Sequence, residues 1–149
     1  MARFLGVVLC AALLRWAAAA ADVPIEGVRT TYQILRPGLN PGPVVEVGDT
    51  VTVHATGKVV QTGKKFWSTK DPGQQPFTYT AGGGVIKGWD MGARGMRKKE
   101  VRLLKIPADE GYGAGGFPAW GIPAGGDLTF ELEVLKITGR DGKKNKGKQ

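Results

Sequence analysis

Cysteine and histidine are almost absent from this sequence of 149 residues. Cys10 is the only cysteine and His54 is the only histidine. A disulfide needs two cysteines, and a zinc site needs several Cys, His or acidic ligands in register. We therefore expect no disulfide, no metal site and no thiol chemistry in this protein.

The sequence also lacks the usual groups for acid–base or phosphate chemistry. His54 lies on the polar side of an alternating segment, as an ordinary strand residue would. The stretch GYGAGG, residues 111–116, resembles a phosphate loop, but such a loop must open a helix and the following FPAWGIP opposes one. Asp109 and Glu110 precede a turn and have no partner that the sequence identifies. No catalytic triad or acid–base pair is predicted.

One long hydrophobic run is present, over residues 4–14, and it is too short to span a bilayer. A basic residue precedes it and an alanine-rich stretch follows, which is the order of a secretory signal peptide. We predict a signal peptide over residues 1–21, cleaved near Ala20 or Ala21, and a mature protein in the secretory pathway, either in the endoplasmic reticulum lumen or secreted. Arg15 leaves an uncleaved anchor as the alternative.

Positive charge predominates, with a formal net charge of +8, and much of it lies in the last residues, GRDGKKNKGKQ. Basic tails of this kind are usually solvated, and less often contact anionic lipid or nucleic acid. We predict that residues 139–149 form a flexible tail that is dispensable for folding. We expect no nucleic-acid partner.

Alternation of apolar and polar residues predicts a sheet. Five segments are interpreted as strands: GVRTTYQIL, TVTVHATGKV, PFTYT, EVRLLKI and LTFELEV. In VIKGWDMGARGM the apolar residues recur every three or four positions, which predicts one short helix with Trp89 on its buried stripe. Residues 22–138 are therefore expected to form an α+β domain, a five-stranded twisted antiparallel sheet packed on one short helix.

Aromatic residues are the remaining distinctive feature. In GKKFWSTKDPGQQPF, two large rings, Phe66 and Trp67, are adjacent in an otherwise small and polar stretch. A single aromatic core would account for most of the rings. Phe117 and Trp120 argue against that account, because they lie in a glycine- and proline-rich loop and such loops run over surfaces.

Three blocks of the sequence together carry a resemblance to a known family. VEVGDTVTVHATGKVVQTGKKF, PFTYTAGGGVIKGWDMGARGM and IPADEGYGAGGFPAWGIPAGGDLTFELEVLKI resemble, in order and spacing, the FKBP-type peptidyl-prolyl isomerases, the macrolide-binding immunophilins. The resemblance covers residues 28–137. It implies a rotamase acting on proline-containing polypeptides during folding, with macrolides as possible ligands. It also implies a monomer without cofactor and without a stable membrane span.

The resemblance implies a set of site residues. Trp89 would be the floor on which the proline ring sits, and Phe66 would be a wall. The Ile86 backbone N–H and the Tyr112 hydroxyl would hold the flanking carbonyl groups. The other residues expected to line or flank the substrate are Phe77, Tyr79, Val85, Ile122, Phe130, Trp67, Ala55 and Phe117.

Trp67 departs from the family pattern. Many members have an aspartate there, bonded to a tyrosine and an arginine at positions that here are Ala55 and Pro72. The loss of the whole network favours Trp67 as a repacked wall, buried beside Ala55 and Phe66, because a partly satisfied buried network is unfavourable. An exposed ring is the alternative. The change also leaves open a catalytically silent module that only binds proline-rich segments.

Overall fold

One antiparallel sheet of seven strands organises the part of the protein that the structure, a computed structural model, describes: residues 20–140. Within these residues, a single α-helix, α1 (Lys87–Ala93), lies between the fifth and sixth strands. The strands are β1 (Val23–Pro24), β2 (Thr31–Arg36), β3 (Thr50–Val59), β4 (Lys65–Ser68), β5 (Phe77–Thr80), β6 (Val101–Ile106) and β7 (Leu128–Thr138).

The ten-residue strand β3 explains how these strands form one sheet. The spatial order is β1-β2-β6-β7-β3-β4, and β5 also pairs with β3. One side of β3 pairs with β7 along its whole length. Its other side is shared, because β5 covers Thr50–Val53 and β4 covers Thr56–Lys58. The chain between β4 and β5 therefore leaves the sheet edge and returns to it.

The predicted α+β class with one short helix is confirmed, but the predicted count of five strands is wrong. The two extra strands are β1, which is only two residues long, and β4. The sequence of β4, KFWS, shows no alternation because a bulge interrupts its pairing with β3. Period-two patterning therefore could not reveal this strand.

The predicted alternation in the long strands is confirmed by burial. In β3, Val51, Val53, Ala55 and Val59 face the core and are at most 1% exposed. The apolar residues of β7 alternate in the same way with half-buried or exposed polar residues, so that one face of this strand is buried. The inward residues of β7 are Leu128, Phe130, Leu132 and Val134.

Two glycines let α1 lie directly on β6. A Cβ at Gly88 would come within 2.6 Å of the Thr30 hydroxyl, and one at Gly92 within 2.7 Å of Leu104. Glycine in a helix costs about 1 kcal/mol relative to alanine. Here that cost is offset because the close approach buries Trp89 at 4% exposure.

Residues 1–19 and 141–149, which hold most of the predicted signal peptide and tail, lie outside the described residues. Among the described residues, no helix has both the length and the apolar character needed to cross a bilayer. The last described residue, Arg140, donates a hydrogen bond of 2.9 Å from its guanidinium to the Val47 carbonyl.

We expect removal of residues 141–149 to leave the melting temperature and the isomerase activity unchanged. The sheet ends at Thr138 and the truncation spares the Arg140 contact. Thermal unfolding of the two chain lengths, followed by circular dichroism, tests this expectation. Arg140→Ala in the full chain is the control, since it removes the described contact and keeps the tail. A fall of several degrees in the truncated chain alone would show that the tail contributes to folding.

Candidate active site

A cavity of about 210 Å³ lies between the helix and the inner face of the sheet. It opens to solvent on one side. Its lining is almost entirely apolar and aromatic, and it is supplied by β4, β5, α1, β7 and two loops. The lining residues are Trp67, Phe77, Gly84, Val85, Ile86, Trp89, Tyr112, Trp120 and Phe130.

The indole of Trp89 is the centre of this site. Its ring centroid lies 4.9 Å from that of Phe130 and 5.7 Å from that of Phe77. Tilted and edge-on contacts of this kind between aromatic rings are favourable. The cavity floor is therefore packed against neighbouring rings, and the helix that carries it lies close to β6 at Gly88 and Gly92.

A β-bulge explains why two adjacent rings serve the same site. Trp67 pairs with Gly57 and Lys65 pairs with Lys58, which leaves Phe66 as the extra residue on β4. In such a bulge, two residues oppose one on the partner strand. Phe66 packs edge-on against Phe130, with centroids 5.6 Å apart, in space that a side chain at Gly57 would fill.

Trp67 is half-buried, and the rings that it contacts are those of Phe77 and Trp89. Its centroid lies 5.9 Å from that of Phe77 and 6.4 Å from that of Trp89. Its indole nitrogen donates a hydrogen bond of 3.4 Å to the side-chain oxygen of Gln74, on the solvent side of the β4–β5 connection. Trp67 is therefore a wall of the cavity whose outer edge meets solvent.

Tyr79 supports the floor from behind and does not line the cavity. It is 5% exposed, and its ring stacks on Phe77 with centroids 6.2 Å apart. Burial raises the pKa of the Tyr79 phenol to about 12; the nearby Trp89 indole N–H acts in the opposite direction. Within the described residues, neither polar group meets the geometry of a hydrogen bond. Tyr79 thus stays neutral throughout the physiological pH range.

Two polar donors border the cavity. Among the described residues, no acceptor bonds the Ile86 backbone N–H, and no protein group bonds the Tyr112 hydroxyl. Burial raises the pKa of the Tyr112 phenol, which therefore remains a donor at neutral pH. Both donors are available to carbonyl groups of a bound chain.

The side chain of Asp90 holds the glycine-rich segment that forms one rim. Its carboxylate accepts a hydrogen bond of 2.8 Å from the Gly82 backbone N–H, and Arg94 pairs with it at 2.8 Å. Gly82 and Gly83 have φ values of 112° and 143°, which favour glycine. This anchor places Val85 and Ile86 at the cavity mouth.

Three rings form the opposite rim. The centroid of Phe117 lies 5.6 Å from that of Tyr112 and 5.1 Å from that of Trp120. Phe117 is 38% exposed and Trp120 is 47% exposed, while Tyr112 is half-buried. Trp120 reaches the cavity, and Phe117 packs beside it without lining it.

Of the twelve predicted site residues, seven line this cavity: Ile86, Trp89, Tyr112, Phe77, Val85, Phe130 and Trp67. The other five lie around it. Phe66 supports a wall, Tyr79 supports the floor and the adjoining wall, Ile122 and Ala55 are core residues with at most 1% exposure, and Phe117 joins the rim. Sequence reasoning did not assign Trp120 and Gly84. The position of Trp120 in a glycine- and proline-rich loop was the available signal for it.

Within residues 20–140, no three His, Cys, Asp or Glu side chains lie together in a way that could hold a metal ion. His54, on the outer side of β3, is 2.9 Å from the Thr69 hydroxyl and remote from the cavity lining. The cavity itself offers shape, apolar surface and a few hydrogen-bond donors.

Comparison with known proteins identifies the chemistry of the site. The family model described as FKBP-type peptidyl-prolyl cis-trans isomerase matches residues 42–135. The peptidyl-prolyl cis-trans isomerase FKBP12 of Vicia faba is 55% identical over 107 residues, which cover 70% of this chain and 94% of that protein.

The chain belongs to the FKBP-type peptidyl-prolyl cis-trans isomerase family.

Two further relatives place it within that family. The peptidyl-prolyl cis-trans isomerase FKBP2 of Mus musculus is 48% identical over 94 residues, covering 62% of this chain and 65% of that protein. The crystal structure of FkpA from Escherichia coli has a TM-score of 0.65 and 32% identity, and the match covers 74% of this chain and 49% of that one. The predicted fold and isomerase activity are both confirmed.

Isomerisation about an X–Pro bond is well suited to such a site. The barrier is about 18–20 kcal/mol because rotation removes the resonance of the amide, and uncatalysed exchange takes tens to hundreds of seconds. No proton transfer or covalent intermediate is required. A dry cavity favours the twisted amide, which is less polar than the planar one, and fixed donors can hold the carbonyl groups as the bond turns.

Proposed function

We propose that this isomerase seats the proline ring of a polypeptide on Trp89, between Phe77, Phe130 and Trp67. The observation that carries the assignment is the position of an apolar cavity directly beside two uncommitted donors. The Ile86 N–H and the Tyr112 hydroxyl orient the carbonyl groups on either side of the bond. In this arrangement Phe66 and Tyr79 do not contact the substrate, and they support the rings that do.

We further propose that its substrates are proline-containing chains that fold in the secretory pathway. The apolar run near the start of the sequence and the likeness to proteins named FKBP2 support this location. We also propose that it binds macrolides with altered affinity. Relatives in Rhizopus delemar and Neisseria meningitidis are named FK506-binding proteins, and here Trp67 adds a large ring to the cavity wall.

A protease-coupled assay on residues 22–149 tests the site. Every described contact lies within residues 22–140, so this chain retains the whole sheet and cavity. We expect it to accelerate cis-to-trans conversion of Leu-Pro and Phe-Pro peptides. Tyr112→Phe should lower kcat/KM by about fivefold, the equivalent of one hydrogen bond worth about 1 kcal/mol.

Tyr32→Phe is the matched control for that variant. The Arg102 guanidinium carbon lies 4.0 Å from the centroid of the Tyr32 ring, and Tyr32 does not line the cavity. We expect its activity to equal that of the parent. Equal losses of kcat/KM in Tyr112→Phe and Tyr32→Phe would show that the Tyr112 hydroxyl has no specific role in the site. A parent rate at background with micromolar protein, together with measurable peptide binding, would indicate a module that binds proline without turnover.

A further inference from the structure

Glu110 has a buried carboxylate with three donors directed at it. It ends a 3₁₀ turn, Ala108–Glu110, and is 6% exposed. One carboxylate oxygen accepts from the Arg29 backbone N–H at 2.6 Å. The other accepts from the Thr30 backbone N–H at 2.8 Å and from the Thr30 hydroxyl. The turn that precedes Tyr112 in the chain is thus attached to the residues just before β2.

Burial raises the pKa of this carboxyl, but the hydrogen bonds from Arg29 and Thr30 outweigh burial and hold the pKa below its usual value. Glu110 is therefore ionised at neutral pH. Bonds from N–H and O–H groups to an ionised acceptor are about twice as strong as neutral ones. A glutamine has one acceptor oxygen and an NH₂ group in place of the two oxygens, so it cannot satisfy all three donors.

Thr30 connects this anchor to the helix that carries the cavity floor. It is fully buried, and its hydroxyl lies against the first turn of α1, where a Cβ at Gly88 would be 2.6 Å away. Trp89 is the next residue. The carboxylate of Glu110 is therefore linked, through one buried threonine, to the first turn of the helix that carries Trp89.

Tyr112 lies two residues beyond Glu110, between two glycines. The Gly113 N–H donates to the Ala108 carbonyl at 2.7 Å, which closes the turn over Glu110. Gly111 and Gly113 restrict the backbone little, and Gly113 has a φ of 70°. The position of the Tyr112 hydroxyl thus depends on how firmly the turn before it is held.

We propose that Glu110 is a positioning residue for catalysis, which holds the Tyr112 turn in register with the helix that carries Trp89. This inference rests on the proposed role of Tyr112. The adjacent Asp109 provides a comparison within the same turn, because its carboxylate pairs with the Arg29 guanidinium at 3.0 Å and is 60% exposed. The Glu110 carboxylate is thus buried and accepts three hydrogen bonds, whereas the Asp109 carboxylate forms an exposed ion pair.

The test compares Glu110→Gln with Asp109→Asn in residues 22–149, at a temperature where circular dichroism shows both to be folded. We expect kcat/KM to fall about fivefold in Glu110→Gln and to change less than about 1.5-fold in Asp109→Asn. In a Tyr112→Phe background, Glu110→Gln should cause no further loss, since groups that act through one another are not additive. The proposal would be overturned if the loss of kcat/KM in the double variant equalled the product of the two single-variant losses. It would also be overturned if Tyr112→Phe itself lost no activity.

A readout independent of activity separates this proposal from the proposed function. Amide exchange at Gly113 should speed up about tenfold in Glu110→Gln and stay unchanged in Asp109→Asn. This measurement tests whether Glu110 holds the turn even if the parent protein is inactive. Unchanged exchange at Gly113 in Glu110→Gln would overturn the proposal.

If Glu110→Gln does not fold, Thr30→Val removes one of the three donors and keeps the shape of the side chain. It should show a smaller loss of activity and a smaller rise in exchange, whereas Thr30→Ser, which keeps the hydroxyl, should retain the parent values. Parent values in Thr30→Val, or equal losses in Thr30→Val and Thr30→Ser, would contradict the proposed link.

Discussion

Replacing Trp89 with alanine is expected to lower the free energy of unfolding by about 4 kcal/mol, as large-to-small changes at buried aromatic positions do. The indole is 4% exposed and four other rings pack around it, those of Phe130, Phe77, Tyr79 and Trp67. Their orientations depend on it, so the cavity loses its floor and its walls relax together. We expect kcat/KM to fall at least about tenfold, a loss of about 1.4 kcal/mol of transition-state stabilisation.

Urea unfolding followed by circular dichroism measures the first effect, because fluorescence would lose one of its reporters. Trp120→Ala is the matched control. The same residue type is removed from the same cavity, but Trp120 is 47% exposed in a loop, and we expect a stability loss under about 1 kcal/mol. If the two variants unfolded at the same urea concentration, the packing around Trp89 would not be what holds the helix on the sheet.

Trp67→Ala is expected to cost about 2 kcal/mol, roughly half of what full burial would imply. A fully buried tryptophan at this position would cost about 3–5 kcal/mol on truncation to alanine. The smaller figure follows because one edge of the ring reaches Gln74 and solvent, while the other packs on Phe77 and Trp89. A change within about 0.5 kcal/mol would show a surface ring instead.

Trp67→Asp should be more destabilising than Trp67→Ala, since a carboxylate would lie beside two aromatic rings without a partner. The strand register shows where a hydrogen-bond partner for this carboxylate could be introduced. Gly57 pairs with Trp67, and Thr69 donates to the Ala55 carbonyl, so positions 55 and 67 are diagonal neighbours on one face of the sheet. Adding Ala55→Tyr and Pro72→Arg to Trp67→Asp should recover much of the loss.

That triple variant also tests macrolide binding. We expect its affinity for FK506, measured by displacement of a fluorescent analogue, to exceed that of the parent. The variant with Ala55→Tyr and Pro72→Arg alone is the control, because it adds both partners without the carboxylate and should be unstable from overpacking. Independent, additive effects of the three changes on stability would contradict a shared site.

The placement of Trp67 shows where sequence reasoning reached its limit. Its participation in the cavity could be predicted because a tryptophan is costly in a polar stretch unless it packs against something. Its neighbours could not, because they depend on the bulge at Phe66, and one extra residue in a strand reverses the direction of every side chain after it. The same bulge concealed β4 as a strand.

The case of Glu110 is similar. From sequence, Glu110 had no identifiable partner. Its donors, Arg29 and Thr30, lie about eighty positions away in the chain. Two of the three donors are backbone N–H groups, which leave no trace in residue identity. A contact of this kind is determined by where the chain before β2 passes the 3₁₀ turn, and local patterns carry no information about that.

The sequence by itself determined the properties that follow from short-range periodicity and composition. Alternation in β3 and β7 indicated which residues face the core, and apolar spacing over α1 placed Trp89 on its buried side. The near absence of cysteine and histidine argued against thiol, triad and zinc chemistry. Only the tertiary structure decided the strand count, the half-burial of Trp67, the part played by Trp120 and the anchoring of Glu110. Each of these depends on contacts between residues distant in the chain, and such contacts form only when the sheet closes over the helix.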